Sequence, residues 1–270
     1  ASLSEEAKGH AEAAAKNCSA HFLFHHQTQY KSTENILLEG QIKSTLQLVG
    51  HALTGKNHNG YTTFNSDFSY PRLPYTHFTR LAHDTGISDA PTLHTNNDEE
   101  KSLTSFILDG ESLLACNPQV RFLIVGIYPF FPEKILTLPD GTQISSLLEN
   151  IDEHQEQMLV SLDDNRDLNI YRIHTVMLEL LFKHYIYPLA EPLRAKMIET
   201  LTNPKTQSDK KLLNDFLDFI PLEFVLPGSV TLNLASTHQI IINEATYELA
   251  TLRNIANTHE ESKVLAAIKG

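Results

Sequence analysis

The sequence predicts an α+β fold in which strand-forming segments at both ends flank a helical stretch. Short apolar, β-prone runs occur near the two ends, whereas apolar residues at helical spacing dominate residues 143–219. The length of 270 residues is enough for one large domain with a full core. We therefore expect a single domain over residues 1–270, with residues 143–219 as a helical insertion.

The first elements follow from composition and capping signals. Residues 3–16 are rich in Ala and begin with a capping box that starts at Ser2, which predicts a helix. The apolar run 21–25 predicts a short strand. Ser32 and Thr33 are N-cap candidates, and with three apolar residues at 36–38 and a closing Gly40 they predict a two-turn helix.

The middle of the chain alternates between loop and strand signals. Residues 50–75 are polar and rich in turn formers, which predicts loops. Residues 103–108 and 120–128 are apolar and β-prone, which predicts two strands. Asp109 and Gly110 predict a turn directly after the first of them.

The second half is predicted to be helical first and then to return to strands. Apolar residues recur at helical spacing in 144–151 and 170–181, and prolines divide the stretch, so we expect three or four helices. Residues 223–226 and 239–243 are predicted strands, and residues 251–268 a final helix.

Composition excludes some classes of function. The net charge of −12 disfavours a protein that grips phosphate backbones, so a protein or small-molecule target is expected rather than nucleic acid. No apolar run reaches the length of a membrane span, and residues 1–16 lack the apolar stretch of a signal peptide, so we expect a soluble protein. Cys18 and Cys116 are expected to be free, buried thiols.

The stretch 22–42 contains the most informative motif. The tripeptide 26–28, His-Gln-Thr, ends the first predicted strand, Ile36-Leu37 begins eight residues after Thr28, and Gly40 lies four residues after Ile36. These spacings, in a strand–loop–helix context, resemble the opening of the ADP-ribosyltransferase superfamily, in the branch that includes the poly-ADP-ribose polymerases.

The resemblance implies that the chain binds NAD in a bent conformation with the nicotinamide ribose exposed. It assigns His26 to a hydrogen bond with the adenosine ribose and the backbone of Gln27 to the carboxamide, with Thr28 fixing the turn. Gln27 stands where many relatives have Gly, so the backbone here lacks the freedom of Gly at positive φ.

An aromatic residue that stacks on nicotinamide is also implied. Tyr61, in the run Gly-Tyr-Thr-Thr-Phe, fits this role best, because tyrosine offers a flat face and a hydroxyl that solvent can satisfy. Tyr70 and Tyr75 are competing candidates.

The remaining implied element is a Glu near the start of a late strand. Loss of nicotinamide leaves an oxocarbenium-like ribose, which a carboxylate can stabilise while it helps to deprotonate the acceptor. Glu223 heads a strand that runs into Pro-Gly and resembles the bacterial toxin transferases. Glu244 follows Asn243, as in the polymerase branch, and both candidates stay open.

The resemblance implies an ADP-ribosyltransferase-like split β-sheet core and transfer of ADP-ribose from NAD to a protein acceptor, or to water by the same chemistry. Some relatives are secreted toxins or effectors, but the sequence indicates no compartment. The alternatives are a cysteine hydrolase that uses Cys18 and a non-catalytic interaction module on a transferase-like fold. A metal site is not expected, because the fourteen histidines lack an HExxH pattern.

Overall fold

The computed structural model describes most of the chain, in the following residues: 3–18, 22–44, 47, 75–81, 103–127, 133–146, 157–162, 168–220, 222–232, 239–242, 245–248 and 251–252. Within these residues the protein combines six α-helices with a mostly antiparallel sheet, so the predicted α+β class is confirmed. Among the described helices, none has the length and apolar character needed to cross a membrane.

The helices and strands are numbered here in chain order. The helices are α1 (Leu3–Ala15), α2 (Tyr30–Glu39), α3 (Gly110–Cys116), α4 (Ile170–Leu181), which continues as a π-helical segment (Phe182–Ile186), α5 (Leu193–Thr202) and α6 (Gln207–Leu217). The strands are β1 (Leu23–Gln29), β2 (Gln41–Ile42), β3 (Tyr75–Leu81), β4 (Leu103–Asp109), β5 (Phe122–Ile127), β6 (Ile135–Thr137), β7 (Gln143–Ser145), β8 (Met158–Ser161), β9 (Leu222–Pro227), β10 (Val230–Thr231), β11 (Gln239–Ile242) and β12 (Ala245–Glu248).

The chain forms two compact units. Unit 1 comprises Ala1–His21 and Ile124–Leu222, and unit 2 comprises Phe22–Leu123 and Glu223–Gly270. The division falls inside β5 and after the first residue of β9. Whether the two units constitute the single predicted domain stays a prediction.

Unit 2 is built on antiparallel strands in the order β12-β11-β4-β1-β3-β9. Successive side chains of a strand point to opposite faces of a sheet. One face, called the apolar face here, carries Phe24, Phe78 and Phe224, whose rings meet edge to face with centroids about 5.5 Å apart or closer and whose side chains are fully buried. These aromatic contacts form the core of unit 2.

Unit 1 is mainly helical, and α1 packs on α4. Ala7, Ala11 and Ala14 are completely buried on α1, and such small side chains let two helices approach closely. Helix α6 contributes Phe216, whose ring lies against Phe182 of the π-helical segment with centroids 6.3 Å apart. Strand β8 lies beside β5 in this unit.

Several predicted elements are confirmed with small shifts. Helix α1, strands β1, β4, β5, β9 and β11, and helix α4 lie where the sequence placed them, and α4, α5 and α6 are three helices of the expected three or four. Gly40 ends α2 with a φ of +66°, as a C′ glycine should. Ser2, the loop prediction for residues 50–74, and most of the final predicted helix lie outside the described residues.

The start of α2 was predicted wrongly. The helix begins at Tyr30, so Ser32 and Thr33 lie inside it and are buried instead of capping it. The Thr33 hydroxyl donates to Oγ1 of Thr104 on β4 at 2.7 Å. This hydrogen bond joins α2 to β4. It is a tertiary contact, which cannot be predicted from the local sequence signals of helix capping.

The predicted turn at Asp109 and Gly110 is instead the start of helix α3. Oδ1 of Asp109 accepts a hydrogen bond from the backbone N–H of Ser112 at 2.9 Å, so Asp109 is an N-cap. Asp is favoured in both turns and N-caps, which explains the misassignment.

The predicted helical insertion at 143–219 is wrong in its first part. Ile144 lies in β7, which pairs with β6 as a hairpin, and β8 follows at 158–161. A turn with Gly141 at a φ of +87° joins β6 to β7. The run Pro-Asp-Gly at 139–141 is a hairpin signal that outweighs the helical spacing of the apolar residues after it.

Cys18 and Cys116 form no disulfide, as expected, but each is half-buried and not buried. Cys18 lies after the end of α1, where Sγ donates to the carbonyl of Ala14 at 3.6 Å. The C-terminal end of a helix carries a partial negative charge, which disfavours a thiolate.

Candidate functional site

Three polar side chains form one row across neighbouring strands of unit 2. In the register of the sheet His25 lies opposite Thr79, and Thr79 lies opposite Glu223. Residues directly opposite each other in antiparallel strands project to the same face. This row, called the polar row here, lies on the face opposite the phenylalanine core.

The polar row is buried, although its three members are polar. Exposed fractions are 2% for His25, 3% for Thr79 and 7% for Glu223. Polar groups are removed from water only at a free-energy cost unless they find partners. A buried row of a histidine, a hydroxyl and a carboxylate is therefore a candidate site.

His25 is held at one ring nitrogen. Its Nδ1 lies 3.3 Å from Oγ1 of Thr79, and that hydroxyl also lies 3.5 Å from the carbonyl oxygen of His25. Its Nε2 is buried and has no hydrogen-bond partner among the described residues. Burial first, and the charge of His26 second, lower the pKa of His25 to about 3, so the ring is neutral near pH 7.

Glu223 receives a hydrogen bond from the neighbouring strand. Nδ1 of His77 donates to Oε1 of Glu223 at 2.9 Å. The His77 side chain is 25% exposed, whereas that of Glu223 is 9% exposed. The histidine is therefore the more exposed partner of the pair, and the carboxylate is the more deeply buried one.

His26 contributes a second link between strands. Its Nδ1 donates to the backbone carbonyl of His77 at 2.8 Å, and its ring lies 5.5 Å from that of Phe78 on the apolar face. The net effect of three causes lowers the pKa of His26 to about 4: burial lowers it most, the hydrogen bond to the His77 carbonyl partly opposes this, and the charge of His77 lowers it as well. Strands β1, β3 and β9 are thus tied together through His77.

A small cleft of about 40 Å³ lies beneath α2. Its rim includes an ion pair between Lys43 Nζ and Glu39 Oε2 at 2.6 Å. The lining combines polar and apolar residues: His26, Thr28, Ser32, Asn35, Ile36, Glu39, Gln41, Ile42 and Lys43. Two residues of the His-Gln-Thr motif therefore face this cleft.

The structure brings together only some of the predicted site residues. One face of the sheet, the face of the polar row, carries the side chains of Gln27, Tyr75 and Glu223. Tyr75 lies opposite Pro227 in the register. The side chains of His26 and Thr28 project to the other face, where they line the cleft beneath α2. Tyr61 and Glu244 lie outside the described residues.

The parity places His25, rather than His26, on the face of Glu223. The sequence contains a signal for this, because the two phenylalanines of this segment, Phe22 and Phe24, occupy alternate positions. Even-numbered positions of β1 therefore face the core. The same alternation predicts that the side chains of His25 and His26 project to opposite faces of the sheet.

His77 is a polar residue that the sequence reasoning missed. It lies in β3, a strand that was not predicted, and its partner Glu223 lies 146 residues away along the chain. No local pattern links two such residues.

The described residues contain no group of three or more His, Cys, Asp or Glu side chains arranged to hold a metal ion. Comparison with known proteins gives no family: no family model matches the chain, and no curated protein matches it.

Proposed function

We propose that this protein is an NAD-dependent ADP-ribosyltransferase that modifies a protein and releases nicotinamide. The observation that carries the proposal is the buried Glu223 at the start of a late strand, in one row with His25 of the strand that holds the His-Gln-Thr motif. The strand with the motif, β1, and the strand with the carboxylate, β9, lie two strands apart in the sheet, although His26 and Thr28 of the motif project to the opposite face.

The position of Glu223 suits the stabilisation of a cationic ribose. Departure of nicotinamide develops positive charge on the ribose, as in glycoside hydrolysis. A carboxylate that is largely removed from water interacts with such a charge more strongly than an exposed one. Burial of Glu223 behind His77 provides this environment.

His25 is the histidine that we assign to NAD in this proposal. Its ring is neutral, and its buried Nε2 lacks a partner among the described residues. A buried polar atom without a partner is costly, so a ligand that bonds to it gains affinity. The ribose hydroxyls of NAD offer suitable partners.

Tyr75 is the aromatic candidate whose side chain projects to the same face of the sheet as that of Glu223. Its ring lies against that of Phe122 with centroids 6.3 Å apart and near-perpendicular planes. It is half-buried, which leaves part of the ring available for stacking on nicotinamide. We also propose an ADP-ribosyltransferase-like fold, whose core would include β1, β3 and β9, which are neighbours in the described sheet.

A protein acceptor is proposed because the acidic chain disfavours nucleic acid. Transfer to water would use the same chemistry and appears as nicotinamide release without labelling. The two are separated by following the ADP-ribose moiety in a lysate supplied with labelled NAD.

The test measures nicotinamide release with purified wild-type protein, Glu223→Gln and Glu244→Gln, with and without lysate. Glu223→Gln keeps the shape and the hydrogen-bond acceptor but removes the charge, so release should fall by about 100-fold or more while NAD binding survives. Glu248→Gln, at an exposed position of β12, is the matched control and should behave as wild type.

The outcomes discriminate between the candidates. Release that is lost only in Glu244→Gln would move the carboxylate role to that residue. Full activity of both variants would contradict the role of either carboxylate. Absence of release and of NAD binding in the wild type would contradict the enzyme and favour the interaction module.

A further inference from the structure

We propose that His77 is a positioning residue that orients the Glu223 carboxylate for reaction. The inference rests on the proposed function, because it concerns the same carboxylate. It goes beyond the sequence pattern, which contains no indication of this histidine.

The direction of the hydrogen bond follows from chemistry. An ionised carboxylate can only accept, so the Nδ1 of His77 that lies 2.9 Å from Oε1 of Glu223 carries the proton. Hydrogen bonds to charged groups are stronger than those between neutral groups. With Oε1 held in this way, rotation of the carboxylate plane is restricted.

His77 itself is held by the sheet. It lies in the middle of β3, and Val225 of the neighbouring strand β9 is opposite it in the register. On the side of β1, its backbone carbonyl accepts a hydrogen bond from Nδ1 of His26 at 2.8 Å. The donor therefore projects from a backbone that is bonded on both sides. A donor fixed to a rigid strand can impose an orientation, whereas a donor on a loop cannot.

The contact is diagonal in the register. Thr79 lies directly opposite Glu223, and His77 lies two residues from Thr79 on the same face. Diagonal neighbours in antiparallel strands are within reach of long side chains. Thr79 is occupied with His25, so the two residues of β3 serve different members of the site.

The test compares three substitutions at one position. His77→Asn places a donor N–H at the same number of bonds from the backbone as Nδ1, His77→Gln moves that donor one bond further, and His77→Leu removes it. Steady-state kcat and KM for NAD are measured by nicotinamide release, with active protein counted by NAD-binding stoichiometry.

We expect His77→Leu to lower kcat about 10- to 100-fold, the range for loss of one charge-assisted hydrogen bond, with KM changed by less than about threefold. His77→Asn should recover most of kcat, and His77→Gln less. In a Glu223→Gln background His77→Leu should cause no further loss, because residues that act as a unit are non-additive.

The inference is overturned if wild type is active and His77→Asn and His77→Leu have the same kcat. It is also overturned if His77→Leu lowers kcat by the same factor with and without Glu223→Gln. The proposed function fails separately, when wild type releases no nicotinamide, and the inference then falls with it.

Discussion

Two adjacent histidines, His25 and His26, have different surroundings because consecutive side chains of β1 point to opposite faces. His25 lies in the polar row beside Thr79, and His26 lies beside Phe78 on the core side. Both have a pKa well below that of a free histidine, because burial disfavours the charged ring. Protonation of either ring therefore opposes folding.

The stability of unit 2 should consequently fall on acidification. In the unfolded chain His25 takes up a proton near pH 6.5, whereas in the folded chain its pKa is about 3. The unfolded state thus binds more protons between these values, and the free energy of unfolding should decrease by up to about 1.4 kcal/mol per pH unit for this residue as pH falls from 6 to 4.

Urea unfolding at several pH values measures this effect. The variant His25→Asn keeps a polar side chain of similar reach but does not titrate, so its stability should depend less steeply on pH over the same interval. An unchanged slope in His25→Asn would show that His25 is not the group responsible.

At the scale of elements, helix α3 depends on its N-cap. Asp109→Ala removes the acceptor for the Ser112 N–H and should lower the free energy of unfolding by about 1 kcal/mol. Asp109→Asn keeps an acceptor oxygen and serves as the control. Thermal or urea unfolding of the two variants checks the prediction, and equal losses in both would contradict the capping role.

Elements with a local signal were predictable, and those that depend on distant partners were not. Helix α1 and helix α4 follow from composition and spacing within a few residues of sequence. Strand β3 consists of Tyr-Thr-His-Phe-Thr-Arg-Leu and becomes a strand because it pairs with β1 and β9. The side-chain contacts between these strands join residues that are far apart in sequence: His25 and Thr79 are 54 positions apart, and His77 and Glu223 are 146 positions apart. A local stretch of sequence therefore contains no sign of them.

For the same reason, some residues of the candidate site could be predicted from the sequence and others could not. Glu223 could be chosen from the sequence, because it heads a recognisable strand. The face on which each residue of β1 lies could also have been inferred from the alternation of Phe22 and Phe24. The register that sets His25 opposite Thr79, and the contact of His77 with Glu223, required the assembled sheet.

At the scale of the whole molecule, each unit has an aromatic core of its own. In unit 2 the rings of Phe24, Phe78 and Phe224 interlock across three strands. The strands that carry this core on one face carry the polar row on the other. Damage to the core should therefore disturb the site without touching its residues.

Phe78→Ala should lower the free energy of unfolding by about 3–5 kcal/mol, because a fully buried ring is lost and a cavity remains. Leu38→Ala, at a position that is 45% exposed, is the control and should change it by less than about 1 kcal/mol. Chemical denaturation measures both, and a loss below about 1 kcal/mol in Phe78→Ala would contradict the core assignment.

The bond from His26 to the carbonyl of His77 has a consequence for selectivity in the cleft beneath α2. Because a carbonyl only accepts, Nδ1 of the neutral ring keeps the proton and Nε2 carries a lone pair. A molecule that meets this nitrogen must bring a proton of its own, as a sugar hydroxyl or an amide N–H does. A fully ionised phosphate oxygen cannot do so, and the preference would reverse only below about pH 4, where the ring becomes a cation.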